Sequence, residues 1–138
     1  MQFENATTVT HEQFKAFFES DHGKPISMIN LLKFKETAEY PADHELHGKE
    51  ISGAEAYATY GVEVNKILNS FGGGIQFSGQ VERLTLGQID ELWDMVVIAN
   101  YPSKKHMADM ILSPEYQAIE VHRNAGLAGQ LNIETTVD

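Results

Sequence analysis

The sequence predicts an α+β fold in which four antiparallel strands form one sheet with helices on one face. Four segments have the apolar and β-branched composition of strands, and they cover residues 26–34, 75–86, 91–101 and 130–137. An apolar stripe at helical spacing separates the first two strands, and two shorter helical segments separate the last two. The order strand, helix, strand, strand, helix, strand gives such a sheet when both crossovers are right-handed.

Each predicted helix begins at a residue that can cap it. The capping residues are Thr10, Ser52, Ser103 and Ser113. The helix after Ser52 is expected to end at the three glycines of residues 72–74, since glycine adopts a left-handed cap at little cost. Residues 35–50 are polar and aperiodic, which predicts a long surface loop, and Gly79 within a strand suggests a bulge or a bend.

Length and composition limit the organisation and the partners of the chain. Its 138 residues fit one domain, and we expect an N-terminal helical extension over residues 1–25 and the sheet domain over residues 26–138. The formal net charge of -10 disfavours nucleic acid and anionic membranes as partners. The chain contains no cysteine, which excludes thiol chemistry, and its N-terminus lacks the pattern of an export signal, so we expect a cytoplasmic protein.

Residues 91–101 predict the central strand of the sheet. Asp94 interrupts the even-numbered apolar positions of this strand, and an ionised carboxylate in an apolar layer is costly unless a partner offsets its charge. Met95, Val97 and Ala99 make the opposite face of the strand apolar as well. Because the helices can cover only one face, we expect a homodimer in which two sheets pack face to face.

Several short motifs occur in an order that resembles the domain of unknown function 1330 family. They are NLLKF at Asn30 to Phe34, GAEAYATYG at Gly53 to Gly61, WD at Trp93 and Asp94, YPS at Tyr101 to Ser103, and SPEYQ followed by HR between Ser113 and Arg123. The resemblance extends from residue 26 to the C-terminus. It implies a ferredoxin-like βαββαβ domain of the dimeric α+β barrel group, whose distant members include cofactor-free monooxygenases, haem-degrading proteins and small-molecule-binding proteins. It implies no particular activity, because the family is itself uncharacterised.

Asp94, Asn30 and Arg123 form the candidate site. Asn30 interrupts the apolar face of the neighbouring strand, and Arg123 lies on the inner stripe of the last helix, so Asp94 is predicted to pair with Arg123 while Asn30 hydrogen-bonds nearby. In a functional site Arg123 would bind a carboxylate or enolate oxygen, Asn30 would bind the substrate by orienting a carbonyl, and Asp94 would fix Arg123 or take a proton. The structural alternative is an ion pair that only holds the helix on the sheet.

Four further residues complete the prediction. His122 is a candidate acid or base at the pocket rim, with surface exposure as the alternative. Tyr57, Tyr60 and Trp93 are candidate substrate-binding residues; Tyr57 is a better pocket candidate than Tyr60, although a packed tyrosine explains Tyr57 equally well. His44 and His47 could bind a metal in the loop, but no third fixed ligand accompanies them, so we predict no metal site and no cofactor.

Three functional hypotheses remain from the sequence alone. The first is a dimeric protein that binds a small acidic or aromatic metabolite in a polar pocket between the sheet and the helices. The second is a cofactor-free monooxygenase- or isomerase-like enzyme that uses Asp94, Arg123 and His122. The third is a structural or regulatory dimer without a ligand.

Overall fold

The structure is a computed structural model that describes residues 2–137, and its elements follow the predicted order. The helices and strands are α1 (His11–Glu19), β1 (Ile26–Phe34), α2 (Gly53–Ser70), β2 (Gly74–Gln80), β3 (Met95–Tyr101), α3 (Lys104–Ile111), α4 (Pro114–Gly126) and β4 (Leu127–Thr136). All four predicted capping residues precede their helices. Within the described range, no helix is long and apolar enough to cross a membrane.

The four strands form one antiparallel sheet in the order β2-β3-β1-β4. Strand β3 therefore lies between β1 and β2, as the sequence predicts for this topology. Each of the two crossovers passes over the same face of the sheet, with α2 in the first and α3 and α4 in the second. The predicted α+β architecture with an additional N-terminal helix is confirmed.

The hairpin between β2 and β3 is less regular than predicted. Strand β2 ends at Gln80 and β3 begins at Met95, so residues 81–94 are not part of the sheet. An isolated two-stranded ribbon is only marginally stable, and this part of the hairpin extends beyond the helices that cover the sheet. The bulge of β2 lies between Ile75 and Phe77, and the predicted bulge at Gly79 is wrong; a Cβ at Gly79 would lie 2.8 Å from the Phe77 ring.

The faces of β3 are the reverse of the predicted ones. Ala99 enters the main core together with its β1 partner Met28, and Met95 and Val97, on the same face of the strand, line the groove beside α2. The even-numbered Val96 and Ile98 lie on the opposite face. The sequence could not select between the faces because both sets of positions in this strand are apolar.

One hydrophobic core joins the sheet to α2, α3 and α4. Its buried residues are Ile26, Met28, Tyr60, Leu68, Ala99, Tyr101, Met110 and Tyr116. The other face of the sheet, which we call the open face, remains half-buried or exposed within the described chain. Its apolar residues are Ile29, Leu31, Phe77, Val96, Ile98, Leu131 and Ile133.

Two additions pack on this domain. Helix α1 is held by Lys104, a fully buried residue whose Nζ donates to the carbonyl oxygen of Phe17 at 2.6 Å and pairs with Glu134 at 2.9 Å. The predicted loop of residues 35–50 is anchored by backbone hydrogen bonds, among them one from the N–H of Glu39 to the carbonyl of Ala125 at 2.9 Å.

Candidate functional site

Asp94 lies at the exposed end of the sheet, directly before β3. Its Oδ2 accepts a hydrogen bond from the backbone N–H of Phe34 at 2.9 Å, and its Oδ1 lies 3.5 Å from Nζ of Lys33. The side chain is 39% exposed. The predicted pairing of Asp94 with Arg123 is therefore wrong, because the carboxylate is bonded to β1 whereas Arg123 donates to Gln130 and to the carbonyl of Thr7.

Arg123 and Asn30 do belong to one hydrogen-bond network, but Gln130 joins them. Arg123 donates to the side-chain oxygen of Gln130 at 2.7 Å and to the carbonyl of Thr7 at 3.1 Å. Gln130 in turn donates to Oδ1 of Asn30 at 2.7 Å, and Nδ2 of Asn30 donates to the carbonyl of Val97 at 3.2 Å. The polar groups of this network are satisfied inside the protein, so they stabilise the fold where β1 and β4 meet.

His122 packs beneath the loop of residues 35–50. Its Nδ1 lies 2.7 Å from the hydroxyl of Tyr40, and its ring contacts the ring of His44 with centroids 5.8 Å apart. Burial, followed by the nearby charge of His44, lowers the pKa of His122. Asp94, Arg123 and His122 thus lie in three separate groups of contacts, and the structure gives no support to an enzyme that uses all three.

Tyr60 and Trp93 also have partners within the chain. The Tyr60 hydroxyl lies 3.0 Å from the hydroxyl of Tyr116 in the core, and Tyr60 is only 8% exposed. The indole N–H of Trp93 donates to Asn5 at 3.0 Å, and its ring packs against Phe3. Of the four predicted substrate-binding residues, only Tyr57 faces a cavity.

That cavity is an open groove of about 1060 Å³ between α2 and the β2–β3 half of the sheet. Apolar residues form most of its walls, and seven polar side chains are interspersed among them, four of them uncharged. The apolar residues include Phe34, Ala54, Ala58, Val62, Val64, Ile75, Met95 and Val97, and the uncharged polar ones are Tyr57, Asn65, Ser78 and Gln80. Such a mixture is typical of sites for small organic ligands.

The hydroxyl of Tyr57 is one of the polar groups of the groove. This hydroxyl makes no hydrogen bond within residues 2–137. Every fully buried side-chain oxygen or nitrogen of the described residues has a partner, so the Tyr57 hydroxyl is not fully buried and is open to the groove. Burial of the ring raises the pKa of Tyr57 to about 12, against a smaller lowering by the charge of Arg123. Tyr57 is therefore a neutral hydrogen-bond donor at physiological pH.

Gly61 forms part of the α2 wall and leaves the groove wide at its centre. A Cβ on Gly61 would have no heavy atom within 4 Å, so no packing in the described chain requires glycine there. A glycine in the middle of a helix costs about 0.5–1 kcal/mol relative to alanine. This cost is the one signal in the sequence that could have indicated an empty space beside α2.

Two lysines and one carboxylate, that of Asp94, give the groove its charge. Both lysines line the groove. Lys35 pairs with the exposed Glu39 and Lys66 pairs with the partly exposed Glu63, each at 3.2 Å. Exposed pairs of this kind contribute little, so either lysine can exchange its partner for an anionic ligand. Within the described residues, no group of three or more His, Cys, Asp or Glu side chains is placed to hold a metal ion.

Comparison with known proteins identifies the family. The model of a domain of unknown function, DUF1330, matches residues 46–135. The chain belongs to the DUF1330 family. The match contains α2, all of β2 and β3, and the second crossover, and it therefore covers most of the groove.

Solved structures place this DUF1330 chain among ferredoxin-like folds. A protein of unknown function from Rhodopseudomonas palustris is 35% identical, with 96% of each chain covered and a TM-score of 0.83; its methylated form gives a TM-score of 0.86 with coverages of 96% and 95%. A dimeric ferredoxin-like protein of unknown function from Jannaschia sp. CCS1 is 10% identical, with 82% of this chain and 99% of that chain covered and a TM-score of 0.52, which shows the fold alone. A comparison with curated proteins found no match.

Proposed function

We propose that this protein binds a small aromatic metabolite with a carbonyl or carboxylate oxygen in the groove between α2 and the β2–β3 half of the sheet. The observation that carries the proposal is the Tyr57 hydroxyl, which is open to an otherwise largely apolar groove and has no partner in the described chain. A donor that is open to a largely apolar groove favours a ligand that supplies an acceptor atom. The Tyr57 hydroxyl would donate a hydrogen bond to that acceptor atom of the ligand.

The walls of the groove support a flat, mostly apolar ligand body. The rings of Phe34 and Tyr57 lie with centroids 5.3 Å apart at one end, and small residues on α2 face Val97 across the groove. Aromatic rings favour other rings in tilted or offset arrangements. Lys35 and Lys66 at the rim would attract a carboxylate, in agreement with the acidic or aromatic metabolite expected from the sequence.

We further propose that the protein forms a homodimer through the open face of its sheet. Ile29, Ile98 and Ile133 lie side by side on that face, and Ile133 remains 44% exposed. Exposed apolar patches on a sheet are commonly covered by another subunit. The Jannaschia protein of the same fold is described as dimeric, which supports this assembly.

Ligand binding can be tested with 8-anilinonaphthalene-1-sulfonate, an aromatic anion that fluoresces in apolar sites, followed by competition with benzoate, salicylate and 1,4-naphthoquinone. Gly61→Leu fills the groove from the α2 side and should abolish groove binding. Tyr57→Phe keeps the ring and removes only the donor, so affinity for a competing carboxylate should fall about fivefold, the equivalent of about 1 kcal/mol.

Thr59→Leu provides the matched control, because Thr59 is an exposed residue of α2 that does not line the groove. Its binding should equal that of the unaltered protein. Equal binding by Gly61→Leu would locate the probe elsewhere and contradict the proposal. If no compound in the panel competes, the protein is better described as a dimer without a ligand of this class.

The dimer can be tested by sedimentation equilibrium. Ile98→Asp places a carboxylate in the centre of the open face and should yield a monomer, because an unpaired buried charge is costly. Val62→Asp is the control, since Val62 is 60% exposed on the other side of the molecule beside the groove. A monomeric unaltered protein at high micromolar concentration would contradict the dimer.

A further inference from the structure

Asp94 is held in a fixed position beside the groove, although it lies outside the strands. Its backbone N–H donates to the carbonyl oxygen of Leu32 at 2.8 Å, and its own carbonyl accepts from the N–H of Val81 at 2.9 Å. Strand β3 begins at Met95, which is opposite Leu32, so Phe34 has no partner on β3. Instead, the N–H of Phe34 donates to Oδ2 of Asp94 at 2.9 Å. Three hydrogen bonds with the main chain therefore set the place of this carboxylate.

The other carboxylate oxygen of Asp94, Oδ1, has only a long contact among the described residues. Nζ of Lys33 lies 3.5 Å from it, at the limit of a hydrogen bond. The same Nζ lies closer to the carboxylate of Glu91, at 3.2 Å, and to the carbonyl oxygen of Leu92, at 2.9 Å. A carboxylate has about four acceptor positions, and Asp94 uses few of them within the chain. Its side chain is 39% exposed and lines the groove, so Oδ1 can accept a hydrogen bond from a bound molecule.

Phe34 brings this acceptor and the Tyr57 donor to the same part of the groove. The main chain of Phe34 is bonded to Asp94, and its ring packs against the ring of Tyr57 with centroids 5.3 Å apart. All three residues line the groove. An aromatic ligand that packs beside the Phe34 ring would thus lie near both a hydrogen-bond donor and an anionic acceptor.

We propose that Asp94 selects ligands that carry a hydroxyl group, so that the groove takes a hydroxylated aromatic acid or ketone. This selection rests on the ligand binding proposed above and adds a second contact to it. Tyr57 donates to the carbonyl or carboxylate oxygen of the ligand, and Oδ1 of Asp94 accepts from the hydroxyl group. A hydrogen bond from a hydroxyl to a carboxylate is charge-assisted and roughly twice as strong as one between neutral groups.

Asp94 also opposes a ligand that offers it only acceptor atoms. Two negative charges repel each other most strongly where little water separates them, so a ligand carboxylate beside Asp94 is disfavoured. Selectivity then has an attractive and a repulsive part, as specific sites commonly do. Asp94 therefore has opposite effects on ligands with and without the hydroxyl, which separates a role in recognition from a purely structural one.

The ligands themselves provide the first test, which needs no variant. Isothermal titration calorimetry would compare meta- and para-hydroxybenzoate with the corresponding methoxybenzoates, which keep the oxygen but cannot donate, and with benzoate. We expect at least one hydroxybenzoate to bind about tenfold more tightly than its methoxy counterpart and than benzoate, as a hydrogen bond to a charged group allows. Equal affinities throughout the series would overturn the selection by Asp94.

Asp94→Asn preserves the structural role of the side chain, because an amide oxygen can still accept from the N–H of Phe34. Affinity for the preferred hydroxybenzoate should fall about tenfold, whereas affinity for benzoate should stay equal or rise. Glu91→Gln is the matched control, since it removes a neighbouring carboxylate that also pairs with Lys33 but does not line the groove. Glu91→Gln should leave both affinities unchanged.

The possible failures can be distinguished. A hydroxyl preference that persists in Asp94→Asn, or an equal loss of it in Glu91→Gln, overturns the role of Asp94. Benzoate binding that still depends on Tyr57 would in that case leave the proposed groove site intact. If the preference depends on Asp94 but Tyr57→Phe binds every compound normally, the Tyr57 contact fails and the Asp94 contact stands. If none of these acids binds at millimolar concentration, both fail together.

Discussion

The two sides of helix α2 differ in how completely they are filled. On the side that meets α4, backbone approaches backbone: Gly126 lies against Gly53, and Tyr60 is bonded to Tyr116 through the two hydroxyls. On the side that faces β2 and β3, Gly61 borders empty space and Tyr57 has a free hydroxyl. The two sides belong to the same helix and have similar residue types.

The difference indicates where ligand binding is to be sought. Polar groups on the closed side are used up by contacts that stabilise the fold, as in the network of Arg123, Gln130 and Asn30. On the open side, the Tyr57 hydroxyl has no partner in the described chain and is available to a ligand. Unusual polar residues in a sequence are therefore a weaker guide to a site than ordinary residues beside an unfilled space.

The largest expected effect is that of Gly126→Ala. The new methyl group would meet the carbonyl oxygen of Gly53 and would lie 3.1 Å from the backbone nitrogen of Tyr57, so α2 and α4 would have to move apart. We expect the free energy of unfolding to fall by about 3 kcal/mol, the upper range for overpacking. Urea denaturation measures it. A loss below about 1 kcal/mol would show that the closed side can relax, and the contrast between the two sides would then be weak.

The tyrosines provide a matched pair of smaller effects. Tyr60→Phe leaves the hydroxyl of Tyr116 buried without its partner and should destabilise the protein by about 1–2 kcal/mol. Tyr57→Phe removes a hydroxyl that has no partner and should change stability by less than about 0.5 kcal/mol. Both values come from the same denaturation experiment. Equal losses would mean that the Tyr57 hydroxyl is satisfied after all and is not available to a ligand.

Much of the fold follows from local patterns in the sequence. Helix capping by Ser52 and the formation of the strand Ile26–Phe34 are determined by residues close in the sequence. Both are as predicted. The orientation of β3 is different, because its apolar residues occupy both faces and alternation cannot distinguish them. Residues 81–86 and 91–94 are predicted as strand because apolar residues recur among polar ones, but in the structure β2 ends at Gln80 and β3 begins at Met95, so neither segment belongs to the sheet.

The candidate site was harder to predict than the fold. Asp94 does border the groove, but its partners are the backbone N–H of Phe34 and Lys33 on β1, which the sequence does not show to be adjacent before β1 and β3 pair. Arg123 was correctly placed near Asn30, but its partner Gln130 becomes adjacent only when β4 pairs with β1. Gly61 matters through the absence of a side chain, and such an absence is visible only once the opposite wall of the groove is in place.

A smaller effect of opposite sign is expected at Gly61. Gly61→Ala adds a methyl group that touches nothing and removes the cost of glycine within a helix, so the protein should become more stable by about 0.5–1 kcal/mol. Thermal and urea denaturation both measure this gain. The variant is the direct counterpart of Gly126→Ala, since the substitution is the same and only the side of α2 differs. Destabilisation at Gly61 would contradict an unfilled groove.

The smallest effect is a dependence of stability on pH at His122, on the closed side where the loop of residues 35–50 covers α4. Burial and the charge of His44 lower the pKa of His122, while the charges of Glu45 and Glu63 oppose that lowering. The folded state therefore binds the proton less readily than the unfolded state, whose histidine has a pKa of about 6.5. The stabilisation from neutral His122 is complete above that pH and is lost as the pH falls toward the lower pKa of the folded state.

Unfolding free energies measured between pH 7.5 and pH 5 should accordingly decrease with acidification, and the decrease should be smaller in His122→Gln, where this group no longer titrates. Comparison of the two proteins cancels the carboxylates, which titrate in both. Tyr40→Phe sharpens the test, because it removes the hydroxyl 2.7 Å from Nδ1 and leaves the neighbouring His44 in place. A His122→Gln variant with the same pH profile as the unaltered protein would show that His122 is solvated, and that this end of α4 is more open than its contacts indicate.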